Sequence, residues 1–181
     1  GCGTGDLALA VSRAGSGAII IGLDYSQPML DRAVAKARRR HAVASFVRGD
    51  AAALPFPDSS LDCVGTSFAF RNLTYRNPNT RKYLSEVLRI LRPGGRFVVV
   101  ESSQPPSAVF NWVFRRYVRW FVRPVGVLVS GNPAAYRYLA ESVSRFYTAP
   151  EVVRLLQDAG FTGVTFRRLF FGAAAMHVAI K

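Results

Sequence analysis

The feature that most constrains this chain is its first six residues, Gly1-Cys2-Gly3-Thr4-Gly5-Asp6, which run directly into the apolar helical pattern Leu7, Ala8, Leu9, Ala10, Val11. A glycine-rich turn opening a helix exposes bare backbone, because glycine lacks a Cβ and reaches positive φ cheaply. The unpaired N–H groups of the helix start add hydrogen-bond donors. A small polar cofactor is expected here. In doubly wound α/β folds a strand delivers the chain to such a turn, and no strand pattern stands before Gly1. The expectation is therefore an N-terminally truncated fragment. Its absent first strand would be the central one of the sheet, leaving two inner strands without a partner.

The spacing is G-x-G-x-G followed by Asp6, so the third glycine of the dinucleotide fingerprint is missing and a carboxylate faces the place of a pyrophosphate. That argues for a cofactor without phosphates, and S-adenosylmethionine, whose sulfonium and amino group tolerate an acidic turn, fits better than a dinucleotide. The run Ala18-Ile19-Ile20-Ile21-Gly22-Leu23-Asp24 reads as a short buried strand ending in an acid 19 residues after Gly5, where a carboxylate can take both ribose hydroxyls. A further strand pattern over 44–50 again ends in an acid. There Asp50 and Ala51 are expected to meet the adenine. The cofactor set is thus Gly1, Gly3, Thr4, Gly5, Asp24, Met29, Asp50, Ala51 and Phe68, and no metal-ligand set is read.

With 24 Lys+Arg against 11 Asp+Glu, a net charge of +13, the chain should favour an anionic partner, nucleic acid or anionic lipid. Its two cysteines, Cys2 and Cys63, make no disulfide framework and are read as free thiols of a reducing compartment. No uninterrupted apolar run reaches the roughly 18 residues a membrane span needs.

Pro28 marks the first turn of a helix over about 29–41, closed by the basic run Lys36-Ala37-Arg38-Arg39-Arg40-His41, a solvated helix terminus before it is an RNA patch. The strand pattern 61–69 delivers Phe68, Phe70, Arg71 and Asn72 to the edge where open α/β sheets bind ligands. A helix over 79–91 stops at Arg92-Pro93-Gly94-Gly95, and a strand over 96–100 leads to Glu101. This alternation predicts an α/β fold, a doubly wound, mostly parallel sheet. Residues 105–148 break the rhythm. Phe110, Trp112, Phe114, Tyr117, Trp120 and Phe121 interleave with Arg115, Arg116, Arg119 and Arg123, a helical lid insertion that either packs on the sheet alone or also touches a membrane. Helices over 132–146 and 150–158 follow, then a hairpin of 161–171 and 174–180 around Gly172, which makes the last strand antiparallel. One domain, 1–181, accounts for the chain.

These residues together resemble the class I S-adenosylmethionine-dependent methyltransferases. Within them the chain looks like the ubiquinone/menaquinone biosynthesis C-methyltransferase family. The general signals are the glycine turn, Gly49-Asp50-Ala51 with Leu54-Pro55-Phe56, and Leu91-Arg92-Pro93-Gly94-Gly95. The specific ones are Arg71-Asn72 and Tyr136-Arg137-Tyr138-Leu139-Ala140-Glu141-Ser142, and the match also takes in Glu101 and the closing Met176-His177. The resemblance implies methyl transfer from S-adenosylmethionine to a ring carbon of a prenylated quinol, a demethylmenaquinol or a ubiquinol precursor. Ser102-Ser103-Gln104-Pro105 departs from the family pattern after Glu101 and leaves another phenolic or lipid acceptor open. Arg71 is expected to hold the developing phenolate and Asn72 to orient it. The proton leaves through water, His177 or a tyrosine such as Tyr138, although His177, in a terminal strand pattern, reads first as a histidine satisfied by local hydrogen bonds. Implied partners are the quinol, an anionic membrane touched peripherally from its cytoplasmic inner face, and, as an open arrangement, a second copy in a homodimer. Nucleic acid is disfavoured, since no Asn/Asp-Pro-Pro-aromatic run stands where Ser67-Phe68-Ala69-Phe70 does.

Overall fold

The computed structural model describes residues 1–15, 17–117, 120 and 146–181, apart from the side chains of 114 and 115. In chain order the described elements are α1 (Asp6–Arg13), β1 (Ile21–Asp24), α2 (Gln27–Arg39), β2 (Ser45–Arg48), β3 (Leu61–Ser67), α3 (Phe70–Thr74), α4 (Thr80–Ile90), β4 (Leu91–Ser102), α5 (Ala108–Tyr117), α6 (Ala149–Asp158), β5 (Thr162–Leu169) and β6 (Ala174–Ile180). The strands form two groups. β1 and β2 pair in parallel, and a four-stranded sheet runs β3-β4-β6-β5. In that sheet β3 and β4 are parallel, while β6 is antiparallel to both β4 and β5. Helices alternating with parallel strands are the expected α/β arrangement, and the hairpin β5–β6 supplies the antiparallel ending.

Gly1 and Cys2 connect the two groups. Both donate to the Leu23 carbonyl of β1, at 2.7 and 2.8 Å, and a Cβ on Gly1 would lie 2.8 Å from the Cβ of Ala69, just past β3. The glycine turn is thereby fixed between the carboxyl ends of β1 and β3.

The core lies on one face of the larger sheet. Phe97 and Val99 of β4 meet Phe70, Leu84, Phe146, Val152, Leu156 and Phe161, and burying each such side chain contributes about 1.5–3 kcal/mol. Phe97 stacks on Phe161 at 5.5 Å and meets Phe70 edge-on at 6.0 Å. Helix α6 starts cleanly because the Glu151 carboxylate accepts both the backbone N–H and the hydroxyl of Thr148 at 2.7 Å, which holds Glu151 below the usual carboxylate range. Such a start contributes about 1 kcal/mol.

Two elements differ from the sequence expectation. Pro93-Gly94-Gly95 does not separate α4 from the next strand: β4 already begins at Leu91, paired with Leu61, and a register shift between Leu61 and Cys63 accommodates the turn inside the strand. Helix α3 was not expected at all, because five residues are too few to show a helical period. Helix α5 lies where the lid was expected to begin. Residues 118–119 and 121–145 of the expected lid lie outside the described residues, and with them Tyr138 and all of the expected helix over 132–146 except Phe146. No helix among the described residues is long and apolar enough to cross a membrane. Both cysteines are free.

Candidate active site

The glycine turn is shaped by backbone bonds. Gly5 N–H donates to the Cys2 carbonyl at 2.9 Å, and the Gly5 carbonyl accepts Leu9 N–H at 2.9 Å to start α1. Gly5 sits at φ +80, and an added Cβ would meet Ala33 Cβ and the Phe46 ring, each at 3.0 Å. Conformation and space therefore both require glycine there. Gly3, at φ +54, has nothing within 4 Å of where a Cβ would point, so its backbone is the open side of the turn.

Asp6 behaves differently from its expected role. Its carboxylate turns toward α2 rather than toward a ligand. Lys36 Nζ reaches both Asp6 oxygens at 2.9 Å, and the Thr4 hydroxyl donates to Asp6 Oδ2 at 2.8 Å while accepting from Lys36 at 2.8 Å. The Lys36 and Thr4 hydrogen bonds hold Asp6 below the usual carboxylate range. Lys36, 30 residues away in sequence, was not read as part of the site. Nothing local in the sequence marks it, although its place on the Ala33 side of α2 follows once Ala33 is known to touch Gly5.

Asp24 ends β1 and is half-buried. Its Oδ2 accepts Gly3 N–H at 2.7 Å and its Oδ1 accepts Ser26 N–H at 2.9 Å, so one carboxylate pins the glycine turn and the approach to α2. Met29, in the first turn of α2, is 39% exposed. Asp50 is exposed beyond β2, where its Oδ1 accepts Ala52 N–H at 2.8 Å and rounds the chain at Ala51.

The loop after it is clamped from α4. Arg89 donates to the carbonyls of Leu54 and Phe56 at 2.9 Å each and to Asp58 at 2.7 Å. Glu86 accepts Leu54 N–H at 2.7 Å and two Arg89 bonds at 2.7 and 2.8 Å. The Arg89 hydrogen bonds hold the Glu86 carboxyl well down, at about 2. Glu86 and Arg89 escaped the sequence reading; their i,i+3 spacing before the turn was the available signal.

On the other side of the turn, Phe68 follows β3 at φ +54. It is anchored by its N–H to the Val100 carbonyl at 2.9 Å, and 54% exposed. Phe70 is instead a core residue, 1% exposed. Asn72 is exposed. Arg71 is buried at 5% exposure, beside Glu101 at 1%. Glu101 Oε2 accepts Arg71 N–H at 2.9 Å, Oε1 accepts Ser102 N–H at 2.8 Å, and the guanidinium stands 3.5 Å from Oε1. Arg71 Nε is buried with no hydrogen-bond partner among the described residues, which leaves a donor unspent.

His177 is not at this edge. It lies mid-strand in β6 opposite Val99, is 1% exposed, and its Nε2 is 3.1 Å from the carbonyl of Ala149 at the start of α6. Burial pushes its pKa below the ordinary histidine value, opposed more weakly by the Ala149 and Val99 carbonyls. A neutral ring donating Nε2–H to Ala149 fits that environment, so His177 holds α6 to the sheet, which favours a ring satisfied by local hydrogen bonds over a base.

Gly1, Gly3, Thr4, Gly5, Asp24, Phe68 and Arg71 thus share the carboxyl edge of the strands, with the Gly1–Ala69 contact joining the two halves. Among the described residues no group of three or more His, Cys, Asp or Glu is placed to hold a metal.

Comparison with known proteins agrees with this architecture. A demethylmenaquinone methyltransferase from Thermus thermophilus is 44% identical over 97% of this chain and 78% of its own length. One from Deinococcus radiodurans is 39% identical over 99% and 72%. Among solved structures, an S-adenosylmethionine-dependent methyltransferase from Aquifex aeolicus superposes with a TM-score of 0.67 at 20% identity, covering 99% of this chain and 78% of that one, which shows the fold. The sequence pattern of the ubiE/COQ5 methyltransferase family matches residues 1–181. The chain belongs to that family and is an S-adenosylmethionine-dependent methyltransferase.

Proposed function

We propose that the chain methylates a ring carbon of a prenylated quinol, a demethylmenaquinol before a ubiquinol precursor, and that residues 105–148 form the lid over that acceptor within a single domain. The order of preference follows the relatives, which are named for demethylmenaquinone.

The described residues fit the cofactor. Gly3 offers open backbone, and Asp24 keeps acceptor capacity for the ribose beyond its two N–H bonds, since each carboxylate oxygen can accept more than one. Thr4 and Gly5 shape the turn, Gly1 admits Ala69, and Asp50, Ala51 and Met29 flank the adenine. When bound, S-adenosylmethionine supplies an activated methyl group. The protein's task is then alignment and exclusion of water.

The single observation that carries the acceptor half is the buried Arg71, held by Glu101 and left with an Nε that has no hydrogen-bond partner among the described residues. A ring carbon becomes nucleophilic as its neighbouring hydroxyl loses a proton, and a fixed guanidinium stabilises the phenolate oxygen in a site of low dielectric. Guanidinium is not a base at neutral pH, so the proton passes to water. Asn72 orients the acceptor, and Phe68 covers the cofactor side. The aromatic and arginine-rich segment 110–123 touches an anionic membrane from the cytoplasmic side, and a homodimer is compatible with the same reading.

The test is the kinetics of Arg71→Lys with a short-chain demethylmenaquinol. Lysine keeps the charge and loses the fork, so turnover should fall about tenfold or more at unchanged cofactor affinity, as for an interaction made only in the transition state. A parallel loss of cofactor affinity and thermal stability would make Arg71 structural.

A further inference from the structure

Phe170 and Phe171, between β5 and β6, are each 79% exposed and have φ of +48 and +55. The left-handed region costs an ordinary L-residue about 1–2 kcal/mol. Two successive phenylalanines therefore keep a strained backbone and a large apolar surface in water, and neither ring joins the core. Strain retained at such a place points to function.

The turn is firmly mounted. A Cβ on Gly172 would lie 2.8 Å from Pro106 Cδ and 3.2 Å from Pro105 Cα, and Ser103 N–H bonds to the Ala173 carbonyl at 2.9 Å. The Phe171 ring lies parallel to Phe110 of α5, at 5.1 Å and 6°. Val113, one turn on from Phe110 along α5, extends this ridge at 49% exposure, and Val109 and Trp112 add exposed apolar surface on the same helix at 70% and 59%. Because β6 opens opposite Ser102 at the end of β4, the ridge stands at the carboxyl edge of the sheet, the edge that also carries Phe68 and Arg71.

Its charge is one-sided. Arg116 lies over Trp112 at 4.7 Å and Arg168 over Phe166 at 5.2 Å. The sequence has no Asp or Glu between Glu101 and Glu141, and none after Asp158. A second copy meeting this face through its own ridge would set arginines against arginines, an arrangement that costs binding energy. An anionic bilayer surface complements both the rings and the cations.

We propose that the ridge inserts into an anionic lipid surface with Phe170 and Phe171 at its tip, so that a membrane-borne acceptor reaches the carboxyl edge of the sheet. Only the identity of that acceptor rests on the quinol reading; the insertion stands on the ridge itself.

The test replaces Phe170→Asn and Phe171→Asn together. Asparagine tolerates the left-handed region, so melting temperature should hold or rise. Wild-type protein should sediment with phosphatidylglycerol/phosphatidylcholine vesicles at an ionic strength of about 0.15 M, and the double variant's partition coefficient should fall about tenfold or more. Turnover of a short-chain, water-soluble quinol should be equal in the two proteins, whereas turnover of a vesicle-borne long-chain quinol should fall with the partitioning. Equal partitioning of the two proteins, or no sedimentation of the wild type, overturns the proposal. So does a wild-type dimer that the variant dissociates without any vesicle binding. If neither protein methylates the soluble quinol, the quinol reading fails while the vesicle comparison still decides insertion.

Discussion

Asp24 and Glu101 invite comparison, because each is an acid at the carboxyl end of a parallel strand and each accepts two backbone N–H groups. Asp24 takes Gly3 and Ser26; Glu101 takes Arg71 and Ser102. Their surroundings separate them. Asp24 is half-buried, with no side-chain cation bonded to it among the described residues, whereas Glu101 is 1% exposed and faces a buried guanidinium. An acid in the first setting retains capacity for an incoming hydroxyl. In the second, the acid is consumed in positioning another residue. The same local design thus leaves acceptor capacity open in the β1–β2 half, where we propose the ribose, and makes an internal brace in the β3–β4 half.

The largest effect should come from breaking the brace. Glu101→Ala strands a buried cation and two backbone donors, so we expect a loss of about 3–5 kcal/mol in stability, read from urea unfolding, with activity lost as well. If Glu101→Ala unfolds at the wild-type midpoint, the brace is not structural and the contrast with Asp24 collapses.

Asp24→Ala comes next, and its loss should fall mainly on the cofactor. Charge-assisted hydrogen bonds contribute roughly 1.5–3 kcal/mol each, so affinity measured by calorimetry should drop at least about tenfold, with a smaller fall in melting temperature from the released Gly3 and Ser26 N–H groups. Asp24→Asn sharpens the point. It retains one acceptor oxygen, so it should recover much of the stability and little of the affinity. Unchanged affinity in both variants removes Asp24 from the ribose.

The same contrast explains what could be read in the sequence. Gly1 to Gly5 and Asp24 are legible because the turn and the strand-end acid follow each other at short range and glycine geometry is written in residue identity. Arg71 and Asn72 could be located, but not the burial of Arg71, since that depends on β4 delivering Glu101 from 30 residues away. His177 is the opposite case. Its place in a terminal strand left a base or a ring satisfied by local hydrogen bonds, and its register opposite Val99 and the carbonyl of Ala149 favour the second. Lys36, Glu86 and Arg89 were missed for one reason: each acts on a loop distant in sequence, and only packing brings the partners together.

His177 provides a smaller test on the buried side. Its folded pKa lies below the ordinary value of 6.5, so the folded state resists the proton that the unfolded chain binds. Stability is complete above about pH 6.5, declines as pH falls from there toward the folded value, and levels off below it, with a slope of at most about 1.4 kcal/mol per pH unit. His177→Gln can still donate to Ala149 and cannot titrate. Its unfolding midpoint should therefore lose this part of the acid dependence below about pH 6.5. Parallel pH profiles for the two proteins would show that His177 titrates alike folded and unfolded.

The smallest effect belongs to Lys36, on the solvent side of the glycine turn. Its bond to Asp6 is exposed, with side-chain accessibilities of 21% and 68%, and exposed pairs contribute about 0–1 kcal/mol and weaken with salt. Yet Lys36 also donates to Thr4, so it ties two residues of the turn to α2. Lys36→Met should leave the melting temperature within about 2–4 °C of wild type and weaken cofactor binding by no more than about fivefold at low salt, the deficit shrinking as salt rises. Acid should remove the same contribution from the wild type. The folded Asp6 lies below its ordinary value of 3.8, so the stability it adds is present above that pH and is lost as pH falls through the lower folded value. A Lys36→Met loss as large as that of Asp24→Ala, and indifferent to salt, would place Lys36 inside the cofactor cradle and erase the distinction between a group that holds the turn and one that holds the ligand.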